Sequence, residues 1–174
     1  RTASGPSGFG VTPTIAVNVS PRRLGAPGFV PGGDRAIDEA GVRPEHVLLE
    51  ITESALVDDP QAARSVLTQL RKLGVQIALD DFGTGWSSLS YLRDLPVDVI
   101  KIDRSFVADL PDDPDACAVV AGVLGLGHVM GLVVVAEGVE RVDQLEVLRD
   151  MGCDEYQGFI DGEPGPLADV MPTV

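Results

Sequence analysis

The sequence contains a series of polar side chains that stand at or just after the ends of short apolar segments. In chain order they are Asn18, Glu50, Glu53, Asp80, Asp81, Lys101, Asp103, Glu137, Glu140 and Gln157. Carboxylate and amide oxygens are the ligands that Mg²⁺ and Mn²⁺ prefer, whereas zinc sites usually include histidine or cysteine. His46 and His128 lie outside the series. The residue types therefore indicate chemistry with a hard divalent cation, and zinc is not expected.

Lys101 and Glu137 are the candidates for catalysis at such a site. The lysine would orient a water molecule or stabilise a phosphate oxyanion, or it would only neutralise Asp80 or Glu137. Glu137 would be a metal ligand, a base that prepares water for attack, or a purely structural group. The sequence does not decide between these interpretations for either residue.

Glu53 and Gln157 each have a functional and an ordinary interpretation. Glu53 would accept hydrogen bonds from the glycine-rich loop that begins at Gly83, or it would cap a helix or lie at the surface. Gln157 would contact a ligand, or it would satisfy buried backbone groups. The sequence leaves both choices open.

Asp80 and Asp81 are adjacent, and neighbouring side chains of an ideal strand point to opposite faces. Both carboxylates can reach one site only if the chain turns away from the strand there. Residues 82–85 follow directly, and their two glycines permit such a bend. We therefore expect the chain to leave the strand at this pair.

Six short runs rich in Val, Ile and Leu precede or contain these polar residues and are interpreted as strands. They span residues 15–19, 47–51, 75–79, 97–102, 132–136 and 156–160. Nearly continuous apolar runs are typical of parallel strands that are buried on both faces. Helical patterns over residues 61–73, 116–130 and 142–151 separate several of them. The alternation predicts an α/β fold with a parallel sheet and right-handed crossovers.

Two architectures are compatible with this alternation, a TIM-like (β/α) barrel and an open doubly wound sheet. In a barrel the carboxyl ends of all strands converge on one mouth, whereas an open sheet spreads them along one edge. The polar series at the strand ends favours the barrel. We therefore predict an incomplete barrel, with about six of the usual eight strands, over residues 15–174 after a flexible lead-in over residues 1–14.

The composition limits the possible partners and compartments. The chain has 174 residues, a formal net charge of −14 and a pI near 4.3, so binding to long nucleic acid is not expected. No apolar run approaches the roughly 20 residues that span a bilayer. Cys117 and Cys153 lack zinc spacing and are expected to be reduced thiols of a cytoplasmic protein, whose parent chain could still be membrane-tethered.

Six short motifs together resemble those of EAL domains, a family of cyclic di-GMP phosphodiesterases. In order they read Asn-Val-Ser from residue 18, Glu-Ile-Thr-Glu from 50, Asp-Asp-Phe-Gly-Thr-Gly from 80, Lys-Ile-Asp-Arg-Ser-Phe from 101, Ala-Glu-Gly-Val-Glu from 136 and Gln-Gly-Phe from 157. The resemblance covers about residues 15–165. The blocks over residues 80–92 and 101–106 are its most specific parts.

The resemblance implies a modified TIM barrel that hydrolyses cyclic di-GMP to linear pGpG with two Mg²⁺ or Mn²⁺ ions. Matched by motif, it implies metal ligands at Asn18, Glu50, Asp80, Asp81 and Glu137, water positioning by Lys101, substrate contacts at Glu140 and Gln157, and loop bracing by Glu53. In the family, the loop over residues 81–88 couples dimerisation to metal binding, so a homodimer is expected. The implied reaction is in-line attack of activated water on one phosphodiester.

One departure from the family pattern bears on activity. The glutamate-alanine-leucine motif belongs to a hairpin upstream of Asn18, and this chain contains no such hairpin. A longer parent protein would encode it, a partner chain would supply the strands by swapping, or the domain would be degenerate. We expect the intact domain to be a phosphodiesterase and this chain alone to be inactive. The alternative is a signalling module that binds cyclic di-GMP without cleaving it.

Overall fold

Six parallel strands form one sheet in the computed structural model, which describes residues 14–56, 59–84 and 89–162. The strands are β1 Ile15–Asn18, β2 Val47–Thr52, β3 Gln76–Phe82, β4 Val99–Ile102, β5 Val133–Glu137 and β6 Glu155–Gln157. Each strand pairs with the next one along the chain. Doubly wound sheets reverse their strand order at a switch point, and this sheet shows no reversal within the described ranges. The sheet is half of a TIM-like barrel, which confirms the predicted α/β class and incomplete barrel.

Helices connect these strands. They are α1 Pro21–Leu24, α2 Phe29–Ala40, α3 Pro60–Lys72, α4 Leu89–Asp94, α5 Arg104–Ala108, α6 Pro114–Met130 and α7 Val142–Asp150. The helical patterns of the sequence coincide with α3, α6 and α7. In the part of the chain that the structure describes, no helix combines the length and the apolar character that crossing a bilayer requires.

Sequence signals explain where the two longest of these helices begin and end. The Asp59 carboxylate caps α3 by accepting a hydrogen bond from the Ala62 N–H at 3.0 Å. Asp113 caps α6 in the same way through the Asp115 N–H at 2.9 Å. The chain leaves α6 at Gly131, whose φ of 72° lies in the left-handed region that favours glycine.

The sixth strand is shorter than its sequence pattern predicts. The apolar pattern predicts a strand over residues 156–160, but β6 ends at Gln157 and a 3₁₀ turn follows at Phe159–Asp161. A Cβ atom at Gly158 would lie 2.0 Å from the carbonyl oxygen of Val139. The chain therefore passes directly against the loop after β5, and this close approach replaces further strand pairing.

The two faces of the sheet bury different side chains. The main core lies between the sheet and the helices and includes Ile51, Ile77, Leu79, Ile100 and Ile102. The opposite face holds a small apolar cluster made of Ala78, Val99 and Val135, with Leu48 packed against it. Because side chains alternate along a strand, the next residues of this inner face are Glu50, Asp80, Lys101 and Glu137. An apolar layer thus supports a charged layer nearer the carboxyl edge.

Helix α6 packs closely on β5 through a glycine. A Cβ atom at Gly127 would lie 2.3 Å from Cγ2 of Val134, and both residues are buried. We expect Gly127→Ala to lower the free energy of unfolding by about 1–3 kcal/mol, because the added methyl group pushes the helix away from the sheet. Urea denaturation followed by circular dichroism measures this change.

Gly125 provides a matched control on the same helix. A Cβ atom there would meet nothing within 4 Å, so Gly125→Ala should raise the free energy of unfolding by about 0.5–1 kcal/mol through helix propensity alone. If both substitutions changed stability equally, close packing at Gly127 would not be what seats α6 on the sheet.

Candidate metal centre

The strand register brings the polar series to one face and one edge of the sheet. The residues at the carboxyl ends of the six adjacent strands are Asn18, Glu50, Asp80, Lys101, Glu137 and Gln157. Cα partners in neighbouring parallel strands share a face, and Asn18 is the partner of Glu50. At the other side of the sheet, Glu137 is the partner of Gln157. The fold therefore gathers side chains that are far apart in sequence.

Lys101 is almost fully buried and contacts three of the acidic side chains at these strand ends. Its Nζ atom is 2.7 Å from Oε1 of Glu50, 3.3 Å from Oδ1 of Asp80 and 2.5 Å from Oε1 of Glu137. Its side chain is 5% exposed. The contacts include the neutralising ion pairs with Asp80 and Glu137 that the sequence offered as one interpretation, and they add Glu50.

Three carboxylates form a group that could hold a metal ion. Ligand atoms of Asp80, Asp81 and Glu137 all lie within 4.8 Å of one another. All three residues are partly buried. This spacing suits several oxygens around one hard divalent cation.

The backbone at Asp81 explains how adjacent aspartates join the same group. Asp81 has a φ of 55°, in the left-handed region, and the β3–β4 register shifts between Leu79 and Phe82. A bulge of this kind redirects a side chain, so that Asp81 can join Asp80 although neighbouring side chains of a regular strand point to opposite faces. The change of direction thus occurs at Asp81 within β3, which continues to Phe82, and not at the glycines that follow the strand.

Burial and neighbouring charges shift the proton affinities of the cluster. Burial raises the pKa of Asp81, and the Asp80 carboxylate raises it further. Burial also raises the pKa of Glu137, in spite of the hydrogen bond from Lys101. For Lys101, burial disfavours the charged form, but hydrogen bonds to Glu137 and Glu50 outweigh burial and raise its pKa. Lys101 is therefore a fixed positive charge, and it is surrounded by more negative charge than it can neutralise alone.

The donor set fits a divalent cation. Within the described residues, the carboxylates of Glu50, Asp80, Asp81 and Glu137 outnumber the single ammonium group of Lys101. Oδ1 of Asp80 is buried and accepts no hydrogen bond from any described residue, although Lys101 stands at ion-pair distance. A cation would coordinate this oxygen and offset the mutual repulsion of the carboxylates.

Glu53 is a second buried acid beside the strand ends. It is 4% exposed and begins the 3₁₀ turn Glu53–Leu56 directly after β2. Neither carboxylate oxygen has a hydrogen-bond partner among the described residues. A surface role for Glu53 is therefore wrong. Residues 85–88, which complete the glycine-rich loop, lie outside the described ranges.

The remaining predicted residues lie at the periphery of the cluster. Asn18, Glu140 and Gln157 are exposed. Glu140 borders a cleft of about 380 Å³, which we call the Glu140 cleft; its lining includes Arg104, Ser105, Gly138, Glu140, Arg141 and Gln144. The main-chain carbonyl of Gln157 accepts a hydrogen bond from the Val139 N–H at 3.2 Å, while its side chain is free to face solvent.

Gln144 is a structurally important residue that the motif pattern does not single out. It is 2% exposed, and its amide group bonds the loop after β5 to the end of α5. The available signal is its place at the third position of α7, where a glutamine commonly reaches back to cap the helix start.

Comparison with known sequences identifies relatives of the chain. The sequence model of the EAL domain matches residues 4–164. MucR of Pseudomonas aeruginosa, described as a bifunctional diguanylate cyclase/cyclic di-GMP phosphodiesterase, is 42% identical over 160 residues, which are 92% of this chain and 23% of MucR. The chain spans about a fifth of the length of the curated relatives that it matches.

Solved structures give the same result. The phosphodiesterase of MucR in complex with cyclic di-GMP superimposes with a TM-score of 0.87 at 42% identity, over 91% of this chain and 64% of that one. The EAL domain of Mycobacterium smegmatis DcpA has a TM-score of 0.86 at 44% identity, over 90% and 70%. Klebsiella pneumoniae BlrP1, solved with manganese and cyclic di-GMP, has a TM-score of 0.79 at 36% identity, over 84% and 38%.

The family model covers most of the chain, and the structural neighbours share its fold. The chain belongs to the EAL domain family.

Proposed function

We propose that the complete domain containing this chain hydrolyses cyclic di-GMP to linear pGpG with Mg²⁺ or Mn²⁺. The observation that carries the proposal is the cluster around Lys101, with the cation-binding group of Asp80, Asp81 and Glu137 beside it. The substrate is supported by relatives named for cyclic di-GMP hydrolysis and by neighbours solved with that nucleotide. One neighbour was solved with manganese and also with calcium.

The acidic residues are the proposed metal ligands. Glu50, Asp80, Asp81 and Glu137 would supply carboxylate oxygens, and Asn18, the strand partner of Glu50, would supply an amide oxygen. Bound cations would activate water and neutralise charge on the phosphodiester. The task of the chain is to hold these oxygens in place, which it does by anchoring each one at a strand end.

Lys101 and Glu137 are the proposed catalytic residues. The ammonium group has three N–H donors, and its contacts with three carboxylates fix its position at the inner edge of the sheet. A fixed positive charge there would orient the attacking water and stabilise the oxyanion that develops on phosphorus. Glu137 would accept the proton of that water, since burial raises its pKa toward the range of a general base.

The peripheral residues are assigned to the substrate and to the loop. Glu140 and Gln157 are exposed at the carboxyl edge and are the proposed contacts with cyclic di-GMP. Glu53 is buried, and its carboxylate oxygens have no hydrogen-bond partner within residues 14–56, 59–84 and 89–162, which supports the proposal that it braces the loop after β3. Through that loop we propose a homodimer. The cytoplasm is the proposed compartment, where the free thiols of Cys117 and Cys153 would stay reduced.

A hydrolysis assay tests the proposal on the intact parent protein. With Mn²⁺ and cyclic di-GMP, the wild type should release pGpG, and Glu50→Gln should reduce turnover by about 10²–10³-fold, as loss of a charge-stabilising group does. Product formation is followed by ion-exchange chromatography. The chain 1–174 assayed alone should show no turnover, because its described residues form six strands where a closed barrel of this kind has eight.

Glu39→Gln is the matched control, since Glu39 is exposed on α2 and away from the strand ends. It should retain wild-type turnover. An intact protein that forms no pGpG above the Glu50→Gln background would refute the hydrolase. If calorimetry then showed tight binding of cyclic di-GMP, the domain would be a receptor for the nucleotide.

A further inference from the structure

A buried glutamine outside the proposed chemistry makes more hydrogen bonds than an ordinary core residue. Gln144 lies in the first turn of α7, and its side-chain amide bonds in both directions. Oε1 accepts from the N–H groups of Glu140 and Arg141, at 2.9 and 3.0 Å. Nε2 donates to the carbonyl oxygens of Val107 and Ala108, at 3.0 and 3.3 Å. All of its partners are backbone groups.

These bonds cap two helices with one side chain. The carbonyls of Val107 and Ala108 stand at the end of α5, where carbonyl groups lack the usual partners one turn further along the helix. The Val107 carbonyl also accepts from the Leu110 N–H, and the Ala108 carbonyl also accepts from the Arg141 guanidinium. The amides of Glu140 and Arg141 stand just before α7, where N–H groups need acceptors. A primary amide offers two N–H donors and an acceptor oxygen, which matches the two carbonyls at one end and the two N–H groups at the other.

The two capped segments are opposite walls of the Glu140 cleft. α5 begins at Arg104, three residues after Lys101, and the other wall includes Gly138 and Glu140 of the loop that follows β5. The walls also touch directly, since a Cβ atom at Gly138 would lie 2.6 Å from Cβ of Arg104. The Gln144 amide therefore fixes the backbone of Glu140 relative to the helix that follows Lys101.

We propose that Gln144 is a positioning residue, which sets the direction in which Glu140 meets the substrate. The side chain of Glu140 is exposed. Gln144 holds Glu140 through its backbone, because the Glu140 N–H donates to Oε1 of Gln144. Without the amide of Gln144, the loop would keep the hydrogen bonds of the Arg141 guanidinium to the carbonyl oxygens of Ala108 and Leu110, but the N–H of Glu140 would lose its acceptor. The proposal rests on the proposed function, because it assigns Glu140 to substrate contact.

Steady-state kinetics of the complete domain separate positioning from a general structural role. We expect Gln144→Met to raise the KM for cyclic di-GMP about tenfold and to leave kcat within about twofold, because binding contacts weaken while the chemistry is unchanged. Gln144→Glu keeps the acceptor but loses the donors, and should raise KM less. Gln69→Met is the matched control, since Gln69 is exposed on α3. A fall in kcat at constant KM would overturn the proposal.

A double-mutant cycle tests whether Gln144 acts through Glu140. In a Glu140→Gln background, Gln144→Met should add little to the KM, because the contact that it positions is already weakened. Fully additive effects on KM would overturn the proposal.

Hydrogen exchange provides a readout that does not need turnover. In Gln144→Met, the amides of Glu140 and Arg141 should exchange at least about tenfold faster, while Leu148 within α7 keeps its protection. Unchanged exchange at Glu140, or equal acceleration along all of α5 and α7, would overturn the positioning role. A wild type without turnover would instead refute the proposed function and leave this readout to decide the role of Gln144.

Discussion

Lys101→Met should lower the free energy of unfolding of the metal-free chain by about 3–5 kcal/mol and reduce hydrolysis by the intact domain by about 10²–10³-fold. The Lys101 side chain is 5% exposed, and its ammonium group lies within 3.3 Å of carboxylate oxygens of Glu50, Asp80 and Glu137. Methionine fills the space but leaves three partly or fully buried carboxylates without that counter-charge. Urea denaturation in the presence of EDTA measures the loss of stability.

Lys72→Met is the matched control, because Lys72 is exposed on α3. It should change the free energy of unfolding by less than about 0.5 kcal/mol. A combined variant with Lys101→Met, Glu50→Gln and Glu137→Gln should recover much of the lost stability, since two of the three carboxylates that contact Lys101 are then neutral. If Lys101→Met alone were as stable as the wild type, the ion pairs would not hold the inner edge together.

Asp81→Gly should raise the stability of the metal-free chain and lower the activity of the intact domain. Asp81 has a φ of 55°, and its carboxylate is close to that of Asp80. Glycine removes the left-handed strain and one negative charge, so the metal-free chain should gain about 1 kcal/mol. The same change removes a proposed ligand, so Mn²⁺ should no longer raise the melting temperature and turnover by the intact domain should fall about 10²–10³-fold.

Asp81→Asn separates the two effects. Asparagine adopts the left-handed conformation about as readily as aspartate does. The substitution should therefore remove the negative charge and leave the backbone strain at this position unchanged. It should lose the Mn²⁺ response as Asp81→Gly does, with a smaller gain in metal-free stability. A variant Asp81→Gly that kept the full Mn²⁺ stabilisation would exclude Asp81 from the metal site.

The parts of the fold that follow from local pattern could be predicted from the sequence. Runs rich in Val, Ile and Leu located β1 to β5, whereas the run at residues 156–160 only overlaps β6. The caps at Asp59 and Asp113 mark the starts of α3 and α6. Polar residues at successive strand ends indicated a common edge, because parallel strands bring their carboxyl ends together. Lys101 could be placed at that edge, but not its simultaneous contact with three carboxylates, which depends on side-chain positions across four strands.

Features that depend on tertiary contact could not be predicted. The sequence predicted that the chain leaves the strand at Asp80 and Asp81, with the following glycines permitting the bend. In the structure β3 continues to Phe82, and the change of direction at Asp81 comes from a register shift between β3 and β4. The early end of β6 arises because Gly158 lies against Val139, which is remote in sequence. Gln144 is an unremarkable polar residue in its own helix, and its importance appears only when α5 is packed beside it.

The division of the sheet into an outer apolar face and an inner charged edge has an evolutionary consequence. The larger apolar core lies on one side of the sheet, and the charged cluster that we propose for catalysis lies on the other. A lineage can therefore discard its catalytic groups, provided that the lysine and its acids are replaced together, and still inherit a folded domain. The same architecture can serve descendants that retain hydrolysis and descendants that have abandoned it.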